Sequence, residues 1–132
     1  NVPRVRAEAK KHMQQLQEAI RQGLVQACHD VSEGGIMVAL AEMALASGKS
    51  MRITAEKMPS EGCSLPQLLF SESASRFVVE VENEKAFEDV VDAAKIGEVT
   101  GDGRFTVTHN SSNVVDEPVA DLEQAWKGTF AW

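Results

Sequence analysis

The sequence predicts an α+β domain, a layered α/β sandwich with a mixed sheet, and three observations support that class. Helical periodicity and short β-branched runs alternate along the chain, so that residues 24–100 have the predicted order β-α-β-β-α-β. This order is typical of a ferredoxin-like core, the split βαβ arrangement. The length of 132 residues and the hydrophobic content of 43% suit one globular domain. We therefore expect residues 1–132 to form a single α/β domain.

The first half of the chain predicts two helices around a short strand. Residues 5–22 have the spacing of an amphipathic helix, and Gly23 follows at a position where helices commonly end. A short apolar strand is expected at 24–28. Residues 34–47 form a second helix that is apolar on most sides, which is typical of a helix buried between other layers. The apolar face predicted for the first helix consists of Met13, Leu16 and Ile20.

The second half of the chain predicts alternating strands and helices. The tripeptide at 101–103, Gly-Asp-Gly, separates two of these strands and predicts a hairpin. Asp116 and Pro118 are typical of the start of a helix. The expected strands are 50–54, 76–81, 96–100 and 104–108, and the expected helices are 83–94, with Asn83 as its N-cap, and 119–127.

Composition and charge argue against several classes of function. The net charge of −7 gives a surface that repels phosphate backbones, so nucleic acid is not an expected partner. No apolar run approaches the ~18 residues that a membrane-spanning helix needs, so a membrane partner is not expected either. Cys28 and Cys63 do not form a CxxC pair, and we expect reduced thiols in a cytoplasmic protein. Because the chain begins at Asn1 rather than Met, we expect a fragment of a larger protein.

Residues 29–35 form the first candidate ligand loop, between a predicted strand and a predicted helix. Two glycines at a helix N-terminus expose N–H groups and the positive end of the helix dipole to an anion. The carboxylates of the loop are possible metal ligands, and its histidine is a possible acid–base group. Alternatively, the polar residues only cap the helix, and the glycines only allow it to pack closely. The candidate residues are His29, Asp30, Ser32, Glu33, Gly34 and Gly35.

Residues 71–76 form the second candidate loop, directly before the clearest predicted strand. Two hydroxyls, a carboxylate and a guanidinium are suited to a phosphorylated or amide-bearing substrate. Alternatively, the hydroxyls satisfy backbone groups while Glu72 and Arg76 pair with each other. The candidate residues of this loop are Ser71, Glu72, Ser73 and Arg76.

The sequence assigns no catalytic residue and no metal ligand. His12 and His109 lack partners at metal-ligand spacing, and GxSxG, HExxH and Walker A motifs do not occur. The residues alone therefore predict a globular α+β domain with one anion-friendly loop and one polar cluster.

Segments around both loops resemble phosphoribosylformylglycinamidine synthases, and in particular their small, separate-subunit form. These enzymes share a superfamily with aminoimidazole ribonucleotide synthetase, selenophosphate synthetase and the thiamine-phosphate and hydrogenase-maturation kinases. The resemblance extends over nearly the whole chain in the same order, which makes it more specific than either loop alone. The similar segments are 27–35, 38–44, 69–73, 75–79, 96–100 and 118–126.

The resemblance implies that the parent protein is an ATP-dependent C–N ligase of purine biosynthesis. Such enzymes convert formylglycinamide ribonucleotide, ATP and glutamine-derived ammonia into formylglycinamidine ribonucleotide, ADP and phosphate. ATP and Mg²⁺ are bound mainly by N-terminal ATP-binding domains of the same protein, and a glutaminase subunit and a small bridging subunit are the further implied partners. This chain would be the C-terminal α/β domain, inactive alone, whose 29–35 and 71–76 loops line or brace the cleft.

Two alternatives stay open. The chain is a standalone module that binds a phosphorylated metabolite at Gly34 and Gly35, or it is the matching domain of another superfamily member such as selenophosphate synthetase. The motifs at 29–35 and 70–73 argue against the second alternative, because the corresponding loops of those relatives differ.

Overall fold

The computed structural model describes residues 8–60 and 62–128, which contain helices and strands in alternation. A short 3₁₀ turn, Ala55–Lys57, follows the second strand. The helices are α1 (Ala9–Arg21), α2 (Gly35–Ser47), α3 (Leu65–Phe70), α4 (Glu84–Glu88) and α5 (Val119–Gly128). The strands are β1 (Ala27–Asp30), β2 (Ser50–Thr54), β3 (Phe77–Glu80), β4 (Gly97–Thr100), β5 (Arg104–His109) and β6 (Ser112–Pro118).

The strands form a two-stranded sheet and a four-stranded sheet. In the first, β1 and β3 are antiparallel, with Asp30 opposite Phe77. The second has the order β4-β2-β5-β6, in which β2 runs parallel to β5 and the other two pairs are antiparallel. The α+β class with a mixed sheet is therefore confirmed. The predicted order β-α-β-β-α-β is found as β1, α2, β2, β3, α4 and β4. These four strands belong to two sheets, because β1 pairs with β3, whereas β2 pairs with β4 and β5.

The predicted hairpin at residues 101–103 is wrong. Strand β2 lies between β4 and β5, so the turn carries the chain past the end of β2 instead of joining two neighbours. The buried Ser50 holds this crossing, because its hydroxyl donates to the carbonyl of Thr100 at 2.8 Å and accepts the N–H of Gly103 at 3.1 Å. Gly103 has a φ of +76°, which favours glycine, and local sequence does not distinguish this crossover from a hairpin.

The hairpin of the four-stranded sheet lies instead between β5 and β6. Its turn residues Asn110 and Ser111 both have positive φ, 50° and 61°, as in the turns that match the twist of a hairpin. The carboxylate of Glu56 accepts the N–H of Asn110 and holds the turn against the 3₁₀ segment. Strand β6 was missed because Asp116 and Pro118 are typical of a helix start. The helix that follows begins at Val119, as predicted.

The chain divides into two compact units. The first unit comprises Asn1–Ala39 and Phe70–Ala93, and the second comprises Leu40–Leu69 and Ala94–Trp132. In the first unit, the buried Ala19, Phe87 and Val91 form a core cluster with several half-buried aliphatic side chains. In the second unit, pairing places Met51 beside Phe105 and Ile53 beside Val107, so these four buried side chains share one face of the sheet.

Two helices differ in detail from their predictions. On α1, Met13 and Ile20 are 54% and 51% exposed, whereas Leu16 is buried together with Ala9 and Ala19, so the packed face is rotated toward the alanines. Residues 5–7 of the predicted first helix lie outside the described residues. Helix α4 ends at Glu88 rather than at 94, although its predicted N-cap is confirmed by the side chain of Asn83, which accepts the N–H of Ala86 at 3.1 Å. Within residues 8–60 and 62–128, no helix is long and apolar enough to cross a membrane.

Candidate functional site

The two candidate loops lie side by side in the first unit. Strand β1 ends where β3 begins, because Asp30 is opposite Phe77 in an antiparallel pair. The N–H of Val31 donates to the carbonyl of Arg76 at 2.9 Å, which extends this pairing into both loops. The 29–35 loop therefore leaves the sheet at the place where the 71–76 loop enters it, although more than thirty residues separate them in sequence.

Gly34 and Glu72 connect the two loops directly. The backbone N–H of Gly34 donates to a carboxylate oxygen of Glu72 at 3.0 Å, across 38 positions of sequence. Helix α2 begins at the next residue, so the carboxylate lies at the end of the helix where the backbone dipole favours negative charge. The sequence predicted that this N–H is available to a ligand anion. In the structure it donates to a side chain of the same unit instead.

The backbone at Gly34 requires glycine for two reasons. Its φ is +77°, and the φ of Gly35, the first residue of α2, is +70°, so two consecutive left-handed residues lead into the helix. A Cβ added to Gly34 would lie 2.3 Å from Val38 Cγ2, one turn along α2. The N–H of Gly35 donates to the carbonyl of Ser32 at 3.1 Å, which closes the turn. The loop therefore owes its shape to both glycines.

Arg76 shapes the second loop from within. Its side chain is half-buried, and its guanidinium donates to the carbonyl and the hydroxyl of Ser71 and, at 3.4 Å, to the carbonyl of Ser73. Ser75, between these groups, has a φ of +65°, which is an uncommon backbone conformation for serine. Through these hydrogen bonds, Arg76 stabilises the backbone conformation of residues 71–75.

His29 and Asp30 lie at the end of β1. Nδ1 of the half-buried His29 is 2.6 Å from the carbonyl oxygen of Asp30, and because a carbonyl only accepts, Nδ1 carries a proton. The carboxylate of Asp30 is exposed and lies 3.7 Å from the same nitrogen. Desolvation, and then the charge of Asp30, raise the pKa of the neighbouring Cys28 thiol, so this exposed cysteine is not an activated nucleophile.

The remaining predicted residues differ in accessibility. Ser32 and Glu33 are exposed at the surface of the first loop, while Ser71 and Ser73 are half-buried in the second. Within the described ranges 8–60 and 62–128, no three His, Cys, Asp or Glu side chains are grouped as metal ligands. What the loops offer is a set of hydroxyls, carboxylates and backbone groups, which are suited to binding a polar ligand.

Sequence reasoning missed three residues that determine the geometry of this site. Val31 is buried and begins the contact with Arg76, Val38 fills the space beside Gly34, and Ser75 adopts the left-handed turn. For Val31 and Val38 the sequence contains a weak indication of this role, because both are apolar residues within or near a polar loop. For Ser75 the sequence holds no signal, because serine seldom occupies a conformation that favours glycine or asparagine.

Comparison with known proteins agrees with this fold. A family model described as AIR synthase related protein, C-terminal domain, matches residues 1–110. PurL of Thermotoga maritima complexed with ADP is similar with a TM-score of 0.77 and 21% identity, covering 86% of this chain and 21% of that chain. The same protein complexed with FGAR gives a TM-score of 0.76 at 20% identity, with 87% and 21% covered. E. coli HypE, a hydrogenase maturation protein, gives 0.57 at 22% identity, with 80% and 38% covered.

These matches define a domain rather than a whole enzyme. The chain spans only 21% of the length of the PurL structures that it matches, and identities near 20% establish likeness of fold. The family model is a stronger finding, because it accounts for residues 1–110 of 132. The chain therefore belongs to the AIR synthase related proteins, as a C-terminal domain of that family.

Proposed function

We propose that this chain is the C-terminal α/β domain of a phosphoribosylformylglycinamidine synthase. One observation carries the proposal: TM-scores against T. maritima PurL are 0.75 to 0.77, whereas thiamine monophosphate kinase from Aquifex aeolicus and E. coli HypE give 0.55 and 0.57. The sequence resemblance around both loops supports the same member of the superfamily. The chain would be part of an ATP-dependent C–N ligase in purine biosynthesis.

The proposed reaction belongs to the parent enzyme. Formylglycinamide ribonucleotide, ATP and ammonia give formylglycinamidine ribonucleotide, ADP and phosphate. The substrate amide oxygen is phosphorylated by ATP, ammonia then adds at the activated carbon, and phosphate leaves. T. maritima PurL has been determined with FGAR and with ATP, which supports these ligands as substrates of the parent protein.

The part proposed for this chain is positional. Mg²⁺ and the nucleotide phosphates are assigned to N-terminal domains of the parent enzyme, as the family resemblance implies. The 29–35 and 71–76 loops would line or brace the cleft that faces those domains. Ser32 is the exposed hydroxyl of the pair of loops, and Ser71 and Ser73 are less accessible. Such groups orient a polar substrate by hydrogen bonding without taking part in proton or phosphoryl transfer.

The proposed partners and location follow from the same assignment. A PurLQS structure from T. maritima supports a parent enzyme that works with a glutaminase subunit and a small bridging subunit. A cytoplasmic location is consistent with Cys28 and Cys63, which are both free thiols.

The reading frame upstream of Asn1 and the product it encodes test the proposal. We expect an ATP-binding domain in the same frame, and we expect the full-length product to form formylglycinamidine ribonucleotide and ADP from formylglycinamide ribonucleotide, ATP and ammonia. A start codon immediately before Asn1 would favour a standalone phosphometabolite-binding module. A full-length product that phosphorylates a different substrate would favour another member of the superfamily.

Calorimetric titration of the 132-residue chain with Mg-ATP is the complementary measurement. We expect no binding tighter than about 1 mM, because the phosphate-binding elements are assigned to other domains. Robust ATP turnover by this chain alone would contradict the assignment.

A further inference from the structure

We propose that Glu72 is a positioning residue that holds the 29–35 and 71–76 loops in a single arrangement. A ligand that displaces one of these loops would then also displace the first turn of α2. The contact that supports this proposal is the 3.0 Å hydrogen bond from the Gly34 N–H to the Glu72 carboxylate. The proposal rests on the proposed function only for the identity of the ligand.

The geometry makes Glu72 different from an ordinary helix cap. N-cap side chains normally come from the residue just before the helix. Here the acceptor belongs to a second loop, 38 positions away, and the donor is the residue directly before α2. The position of the N-terminal end of the helix therefore depends on the backbone conformation of residues 71–76. If that loop moves, the Glu72 carboxylate no longer accepts the Gly34 N–H.

The 71–76 loop is also stabilised by Arg76, at its C-terminal end. Arg76 binds the carbonyls of Ser71 and Ser73, on either side of Glu72, and its own carbonyl accepts the N–H of Val31. Glu72 is thus flanked by backbone groups that a half-buried guanidinium holds. Because Glu72 itself is exposed, its carboxylate is accessible to a ligand, which can change its contact with Gly34.

Charge and backbone conformation both favour a carboxylate as the acceptor of the Gly34 N–H. Gly34 has positive φ and lies directly before α2, so the direction of its N–H is set by this left-handed residue rather than by the regular helix. A carboxylate at this end of α2 is favoured by the helix dipole. An amide at position 72 keeps an acceptor oxygen of the same shape, whereas alanine removes the acceptor.

The test uses the ¹⁵N-labelled 132-residue chain with Glu72→Ala, Glu72→Gln and the matched control Glu33→Ala, which removes an exposed carboxylate next to Gly34. We expect Glu72→Ala to speed exchange of the Gly34 amide proton by about tenfold, because a charge-assisted hydrogen bond is lost. The amide resonances of Ser73 and Ser75 should shift as well. Glu72→Gln should stay within about threefold of the parent rate, since its oxygen still accepts, and Glu33→Ala should change neither readout.

A second measurement keeps the proposal testable if Glu72→Ala does not fold. Scalar coupling across the hydrogen bond, from the Gly34 amide nitrogen to the Glu72 carboxyl carbon, should be observable in the unaltered chain. Absence of this coupling would overturn the proposal, and so would unchanged Gly34 exchange in a folded Glu72→Ala variant. Both readouts are independent of ATP and of any substrate, so a failed assignment of the parent enzyme leaves their outcome interpretable.

Discussion

Gly34 combines two constraints that no other amino acid satisfies. Its φ of +77° lies in the region where a Cβ is strained, and the Cβ itself would meet Val38 Cγ2 at 2.3 Å. Gly23, after α1, has a similar φ of +70° but nothing within 4 Å of the added carbon. The two positions therefore separate backbone strain from steric overlap.

We predict that Gly34→Ala destabilises the chain more than Gly23→Ala does. Both variants should lose about 1 kcal/mol or more from left-handed strain. Overlap with Val38 should add roughly 1–3 kcal/mol at position 34 alone. Urea unfolding of the two variants measures the difference, and Gly34→Ala combined with Val38→Ala should recover part of it. Equal losses at both positions would show that the loop moves away from α2 without cost.

At the scale of elements, the β5–β6 hairpin shows what local sequence specifies poorly. Asn110 and Ser111 both occupy left-handed conformations, and asparagine adopts such a conformation more readily than serine. The strand that follows is largely exposed, so it lacks the alternation by which a half-buried strand is recognised. The turn is held by Glu56, from a segment more than fifty residues earlier, rather than by its own residues alone.

We predict that Ser111→Gly stabilises the chain. Removal of the Cβ relieves strain of about 1–2 kcal/mol, which exceeds the roughly 0.5–1 kcal/mol of added freedom in the unfolded chain. The net gain in the free energy of unfolding should be about 0.5 kcal/mol. The neighbouring Ser112→Gly is the matched control, because it lies in β6 and should lose roughly 0.5–1 kcal/mol. Denaturant unfolding of both variants gives the comparison, and a loss at Ser111→Gly would contradict the strain argument.

The elements and the site differed in how well sequence predicted them. Strand β2 begins and ends at the predicted residues, and α2 begins within one residue of its prediction, because α2 is apolar at almost every position and Gly48 separates it from the strand. The two loops were identified as candidates from their residue types and from resemblance. Their junction through Gly34 and Glu72 was not, since it depends on the pairing of β1 with β3, and periodicity along the chain contains no information on which strands pair.

At the scale of the whole molecule, carboxylates with a lowered pKa lie in the second unit. The backbone N–H groups of Glu56 itself and of Asn110 lower the pKa of Glu56, and the N–H of Arg104 and the hydroxyl of Thr100 lower that of Asp102. The Arg104 guanidinium, 2.5 Å away, lowers the pKa of Asp116. These groups hold the 3₁₀ turn, the crossing after β4 and the β5–β6 pair, which together border the four-stranded sheet.

We predict from these pKa values that acid weakens the second unit. A carboxylate whose pKa is lower in the folded than in the unfolded chain stabilises the fold above its unfolded pKa of about 4, and this stabilisation is lost as the pH falls through the folded value. Protection factors of amides in β5 and β6 should therefore decrease between roughly pH 4 and pH 2, relative to those of β1 and β3. Hydrogen exchange at several pH values, corrected for intrinsic rates, measures this directly. Asp116→Asn should lessen the pH dependence, because the group that titrates is gone while Arg104 retains an acceptor. Constant protection of β5 and β6 down to pH 2 would show that these contacts contribute little to the stability of the sheet.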